Sequence, residues 1–151
     1  MPKLVRTLTT DTPIEQAFAY LADFSNNQEW DPGTESAVAR TGDGPHVGQT
    51  YDLVVMWGDR KLPMVYEITE LQPNKLITIV GDGSTTHAVD TITFATLPEG
   101  GTEVTYIADI RLKGFLRAAE PFLGGKFKEL MDHGKAGMMS ALDRLSSSDT
   151  N

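Results

Sequence analysis

The stretch VDTITFATLPEGGTEVTYIADIRLKG, Val89–Gly114, decides the architecture. Apolar residues alternate with polar ones on both sides of Pro98-Glu99-Gly100-Gly101: Ile92 and Phe94 before it, then Val104, Tyr106, Ala108 and Ile110 after it. A period of two places such residues on one face of a strand. A glycine pair between two such runs suits a tight turn, so the runs pair antiparallel. This reading predicts strands near 86–97 and 102–112.

The same texture extends upstream. Strands are expected near 34–40, 49–57, 61–71 and 75–81, separated by TGDGP (41–45), WGDRK (57–61), QPNK (72–75) and GDGS (81–84). Gly58-Asp59 suits a second tight turn. Short connections imply an antiparallel meander. A further strand is expected over Lys3 to Thr10, where Leu4, Arg6 and Leu8 alternate with Val5 and Thr7.

Two helical segments interrupt the strands. In TPIEQAFAYLAD, Thr12 is a candidate N-cap, Pro13 fits the first turn and Glu15 completes a capping box. Ile14, Ala17, Phe18 and Leu21 form its apolar stripe. Asp23 or Ser25 can cap a second short helix, which Pro32 forces to end at Asp31. Trp30, at the end of SNNQEWDPG, is read as a rim residue where that helix hands over to the sheet. From about Leu116 the period becomes helical: Leu116, Ala119, Phe122, Leu123, Phe127, Leu130, Met131, Met138, Leu142 and Leu145 fall on one stripe. Pro121 and Gly124-Gly125 are its weak points, with a late start at Pro121 as the alternative.

The chain has 151 residues, 40% hydrophobic and 23% charged, and a formal net charge of −8. One domain is expected over 1–146, with a polar, frayed tail over 147–151. The acidic balance argues against nucleic-acid binding. The start lacks a signal peptide and no run is long enough to insert into a membrane, so the expected location is cytoplasmic. The absence of cysteine excludes disulfides, thiolate nucleophiles and Cys-based metal sites. His46, His87 and His133 are scattered, so neither a metal nor another cofactor is expected. There is no GxSxG elbow. GGKFK (124–128) lacks the flanking residues of a phosphate loop, and GDGSTT (81–86) precedes a strand rather than a helix.

Taken together, TPIEQAFAYLADFSNNQEW, the 89–114 stretch and the Leu/Phe-rich C-terminal segment resemble the START-like, birch-pollen-allergen-like helix-grip superfamily (SRPBCC). Within it the chain is similar to the polyketide cyclase/dehydrase and lipid transport type. The resemblance implies an α+β fold: a curved antiparallel seven-stranded sheet wrapped around a long C-terminal helix, with two short helices after strand one. It also implies a hydrophobic cavity between sheet and helix.

Period-two parity predicts which residues face that cavity. The inward sets are Tyr51, Leu53, Val55 and Trp57; Met64, Tyr66 and Ile68; Ala88, Asp90, Ile92 and Phe94; and Val104, Tyr106, Ala108 and Ile110. The run Leu76–Val80 is apolar at both parities and stays ambiguous. Most inward residues are core. The ligand-binding candidates are Trp30, Val55, Trp57, Tyr66, Asp90, Ile92, Phe94, Tyr106, Phe122 and Met131. Asp90 is also the candidate acid/base group. Its ordinary reading places it near the strand start, close to solvent or hydrogen-bonded to a neighbouring strand.

The favoured function is binding of a lipid- or polyketide-like small molecule. A cyclase or dehydratase working in the same cavity is the alternative, so whether the chain is an enzyme stays open. A protein-interaction module is the third reading. A homodimer is compatible with the sequence.

Overall fold

A computed structural model describes residues 3–149. The chain runs through β1 (Lys3–Thr10), α1 (Ile14–Ala22), a 3-10 turn (Phe24–Asn26), α2 (Asn27–Trp30), then β2 (Thr34–Ala39) and β3 (Thr50–Trp57). It continues through β4 (Arg60–Gln72), β5 (Leu76–Gly83), β6 (Thr86–Thr96) and β7 (Thr102–Leu112). A 3-10 segment, Gly114–Phe122, leads into α3, Gly124–Asp149. The strands form one antiparallel sheet in the order β1-β7-β6-β5-β4-β3-β2. This is the helix-grip architecture.

The strand expectations hold to within two residues at each end. Trp57 pairs with Arg60 across Gly58-Asp59, and Gly58 has φ 61°, so a two-residue hairpin turns there. The inward residues of β4 and β6 are all buried, as are Tyr51, Leu53, Val104, Tyr106 and Ala108, whereas Val55, Trp57 and Ile110 are half-buried, as are Val54 and Met56 of the opposite parity. β5 resolves in favour of Ile77 and Ile79, both buried, with Gly81 next on that face.

The helix termini differ from expectation. Thr12 is buried but does not cap α1, whose N-cap position is Pro13. Its hydroxyl donates instead to the Leu142 carbonyl of α3. Thr10 Oγ1 donates to Asp143 Oδ1 at 3.0 Å, and Thr102 Oγ1 to the Thr12 carbonyl at 2.8 Å. The threonines therefore fasten the C-terminal helix to the β1–α1 corner. Asp23 caps the 3-10 turn, accepting from Ser25 N–H at 3.1 Å. Asp31 is extended (φ −104°, ψ 110°) before Pro32, which ends α2.

The C-terminal segment is not one helix. Its first part winds as 3-10 through Pro121 and bears no buried residue, and the α-helix starts only at Gly124. The break shifts the phase of the stripe, leaving Phe122 86% exposed instead of inward. At the other end α3 runs on to Asp149, past the boundary expected at 146. Thr150 and Asn151, also part of the expected tail, lie outside the described residues.

Gly137 sets how closely α3 approaches α2. A Cβ there would lie within van der Waals overlap of the Trp30 carbonyl, so only glycine permits this crossing. Arg6 adds an ion pair from β1 to Asp132 of α3, at 2.6 Å.

Candidate functional site

The sheet and α3 close tightly at one end and part at the other. At the closed end Ile92, Val104, Leu8, Leu21, Met138 and Leu142 are buried together. Phe94 packs edge-on against Phe18 of α1, with ring centroids 5.3 Å apart. At the opposite end there is no α1 to fill the space. There the first half of α3 and the 3-10 segment cover the sheet, and two adjoining hollows remain.

The first hollow has a volume of about 110 Å³ and a polar wall that includes Asn27, Asp31, Thr34, Asp90 and Tyr106. The second, about 250 Å³, is mainly apolar, bounded by Leu62, Met64, Leu112, Leu116, Leu123 and Phe127. They share Val55, Trp57, Tyr66, Ala88, Ile110 and Leu130 as common wall. A mostly apolar pocket with a few convergent polar groups is the usual form of a small-molecule site.

Local sequence explains the space. Ala88 and Ala108 are small residues on inward positions of β6 and β7. Gly81 pairs with Tyr66, and a Cβ on it would meet the tyrosine ring at 2.4 Å. The ring therefore packs directly over Gly81 of β5. Gly83 does the same for Met64, at 3.0 Å. Gly134 on α3 faces the Tyr106 ring, and a Cβ there would make only ordinary contact with it, at 3.9 Å.

Of the sequence-predicted residues, Val55, Trp57, Tyr66, Asp90, Tyr106 and Met131 line the hollows. Four do not. Ile92 and Phe94 belong to the closed end. Phe122 faces solvent because the helix starts after it. Trp30 is 1% exposed and is no rim residue. It packs edge-on against Tyr106 at 5.7 Å and Phe24 at 6.4 Å, supporting the chamber from behind. Its indole N–H is buried without a partner. Sequence reasoning missed Asp31, Phe24, Leu116 and Leu123. The turn residue Asp31 gave no strand parity to read. Its Asx turn, Oδ1 accepting from Gly33 N–H at 2.8 Å, aims the carboxylate inward.

The electrostatics of the polar chamber follow from burial. Asp90 is 6% exposed, and its carboxylate accepts from the Tyr106 hydroxyl at 3.3 Å. It thus combines both earlier readings, bonded to the neighbouring strand yet facing the cavity. Burial, and then the charge of Asp31, raise its pKa to about 7, with the Tyr106 bond opposing. Burial also raises Asp31, against the Gly33 bond. Tyr66 and Tyr106 are pushed well above the ordinary phenol value, first by burial and then by Asp90. Both tyrosines therefore stay protonated donors at neutral pH. Among the described residues, no three His, Asp or Glu side chains cluster to hold a metal ion. None of the helices among them is long and apolar enough to cross a membrane.

Comparison with known proteins agrees with this architecture. The family model for polyketide cyclase/dehydrase and lipid transport matches residues 1–139. The chain belongs to that family. A START superfamily protein from Mycobacterium smegmatis superposes with a TM-score of 0.78 at 16% identity, covering 95% of this chain and 98% of that one. The Zhui aromatase/cyclase from Streptomyces sp. R1128 gives 0.75 at 14% identity, covering 99% and 96%. A conserved protein from Geobacillus kaustophilus gives 0.71 at 18%, covering 95% and 96%. No curated protein sequence matches the chain. At these identities the structural neighbours show the fold alone.

Proposed function

We propose that this protein binds a hydrophobic small molecule, lipid- or polyketide-like, between the sheet and the first half of α3. The observation that carries this reading is the pairing of an apolar hollow with a smaller polar one across a shared wall. A molecule with an apolar body and one polar end matches that division. Burial of its body would supply the affinity, and the Asp90, Tyr66 and Tyr106 groups would orient its head. Native mass spectrometry of gently purified protein should find a co-purifying apolar molecule. Ala88→Leu, which fills the shared wall, should weaken binding of a naphthylamine fluorophore at least tenfold while the fold persists. Unchanged fluorophore affinity in that variant would rule the cavity out as the binding place.

A second reading rests on Asp90. A carboxyl group titrating near 7 beside two protonated phenols can exchange a proton with a ligand at neutral pH. A cyclase or dehydratase needs little more than such a group and a shape that folds the substrate. Turnover of a poly-β-ketone that survives Asp90→Asn unchanged would remove Asp90 from that chemistry.

A further inference from the structure

The polar chamber holds two carboxylates and no cation. Asp31 and Asp90 both line it, while no Lys, Arg or His does among the described residues. Arg60 reaches only the apolar chamber, from its exposed position at the β3–β4 turn. His133, exposed on α3, acts on Asp31 from outside. Partnering is incomplete as well. Asp90 accepts its single bond on Oδ2, which leaves Oδ1 free, and Asp31 is held only through Oδ1. The Tyr66 hydroxyl, on a side chain 7% exposed, has no hydrogen-bond partner among the described residues. Four aromatic side chains, Phe24, Trp57, Tyr66 and Tyr106, share the remaining walls with aliphatic and small residues.

Each of these features favours the same head group. Two carboxylates repel a fatty acid or any other anion. A buried carboxylate without a counter-charge is costly, and an ammonium group would supply both the charge and the hydrogen-bond donors. Aromatic faces around it attract a cation further. Resting on the cavity reading above, we infer that the ligand is a hydrophobic amine, its ammonium seated between Asp90 and Asp31 and its apolar body in the chamber beneath Leu116 and Leu123.

Three probes of one shape separate the classes: phenylbutylamine, phenylbutanol and phenylbutanoate, each titrated by calorimetry into the intact protein. The amine should bind at least tenfold tighter than the alcohol at about pH 7.5, and the carboxylate weakest. Amine affinity should rise with pH up to about 7 as Asp90 loses its proton, and the alcohol should show no such rise. The groups facing Asp90 that bear on this profile are Asp31, Tyr66 and Tyr106. Asp90→Asn should abolish the preference, read as the ratio of amine to alcohol affinity. If that variant does not fold, Asp31→Asn should halve the preference or more, and the wild-type ranking stands as a test by itself. An alcohol or carboxylate binding as tightly as the amine would overturn the inference and leave the cavity reading intact. Failure of all three probes, and of the naphthylamine fluorophore, would overturn both.

Discussion

Asp90 has a carboxyl raised to about 7 in the folded chain, whereas a free aspartate titrates near 4. Between those values the folded protein keeps a proton that the unfolded chain has released. Folding stability must therefore fall as pH rises through that window, then level off above it. Urea unfolding from about pH 5 to about pH 8 should show the wild type losing roughly 2–4 kcal/mol more than Asp90→Asn. Asp31 is raised in the same direction and gives both proteins a common background slope. Parallel slopes would place the proton elsewhere. Two phenylalanines near the start of α3 offer a second contrast. Phe127 is 2% exposed and packs on Trp57 at 5.5 Å, whereas Phe122 faces solvent. Phe127→Ala should cost about 3–5 kcal/mol. Phe122→Ala should stay within about 0.5 kcal/mol. Thermal unfolding of the two variants checks this directly.

At the scale of elements, α3 is fixed at one end and free to cover a hollow at the other. Thr10, Thr12 and Gly137 bind its second half to the β1–α1 corner and to α2. Its first half follows a 3-10 segment without a buried residue, tied to the sheet through Glu120 Oε2, which accepts from Leu112 N–H at 2.7 Å. Gly137→Ala drives a methyl group into the Trp30 carbonyl, and the helix must lift. A loss of about 2 kcal/mol or more is expected, a drop in Tm on the order of 5 °C. An unchanged Tm would show that the helix crossing is looser than described. Hydrogen exchange should be faster over 114–123 than over the second half of α3, because few apolar contacts hold the former.

For the whole molecule, legibility followed periodicity. The strands and their inward faces could be read because a period of two and a buried face fix the register together. The long C-terminal element was read correctly as the cover but wrongly as continuous. Pro121 and the Gly124-Gly125 pair changed the winding, and with it the direction of Phe122. Which end of the sheet stays hollow was not legible. That depends on where α1 packs, so Ile92 and Phe94 became core while Ala88 and Asp90, on the same strand, line the cavity. Trp30 was misplaced because aromatic character gives no direction: besides the nearby Phe24, the ring it packs against, Tyr106, comes from a distant strand.

The claim on which the rest depends is that a ligand enters the space beneath α3. Nuclear Overhauser contacts from a bound naphthylamine fluorophore test it most directly. The account predicts contacts to Ala88, Ile110, Leu116 and Phe127, whose side chains surround the apolar chamber. Contacts confined to the exposed rings of Phe115 and Phe122 would contradict it.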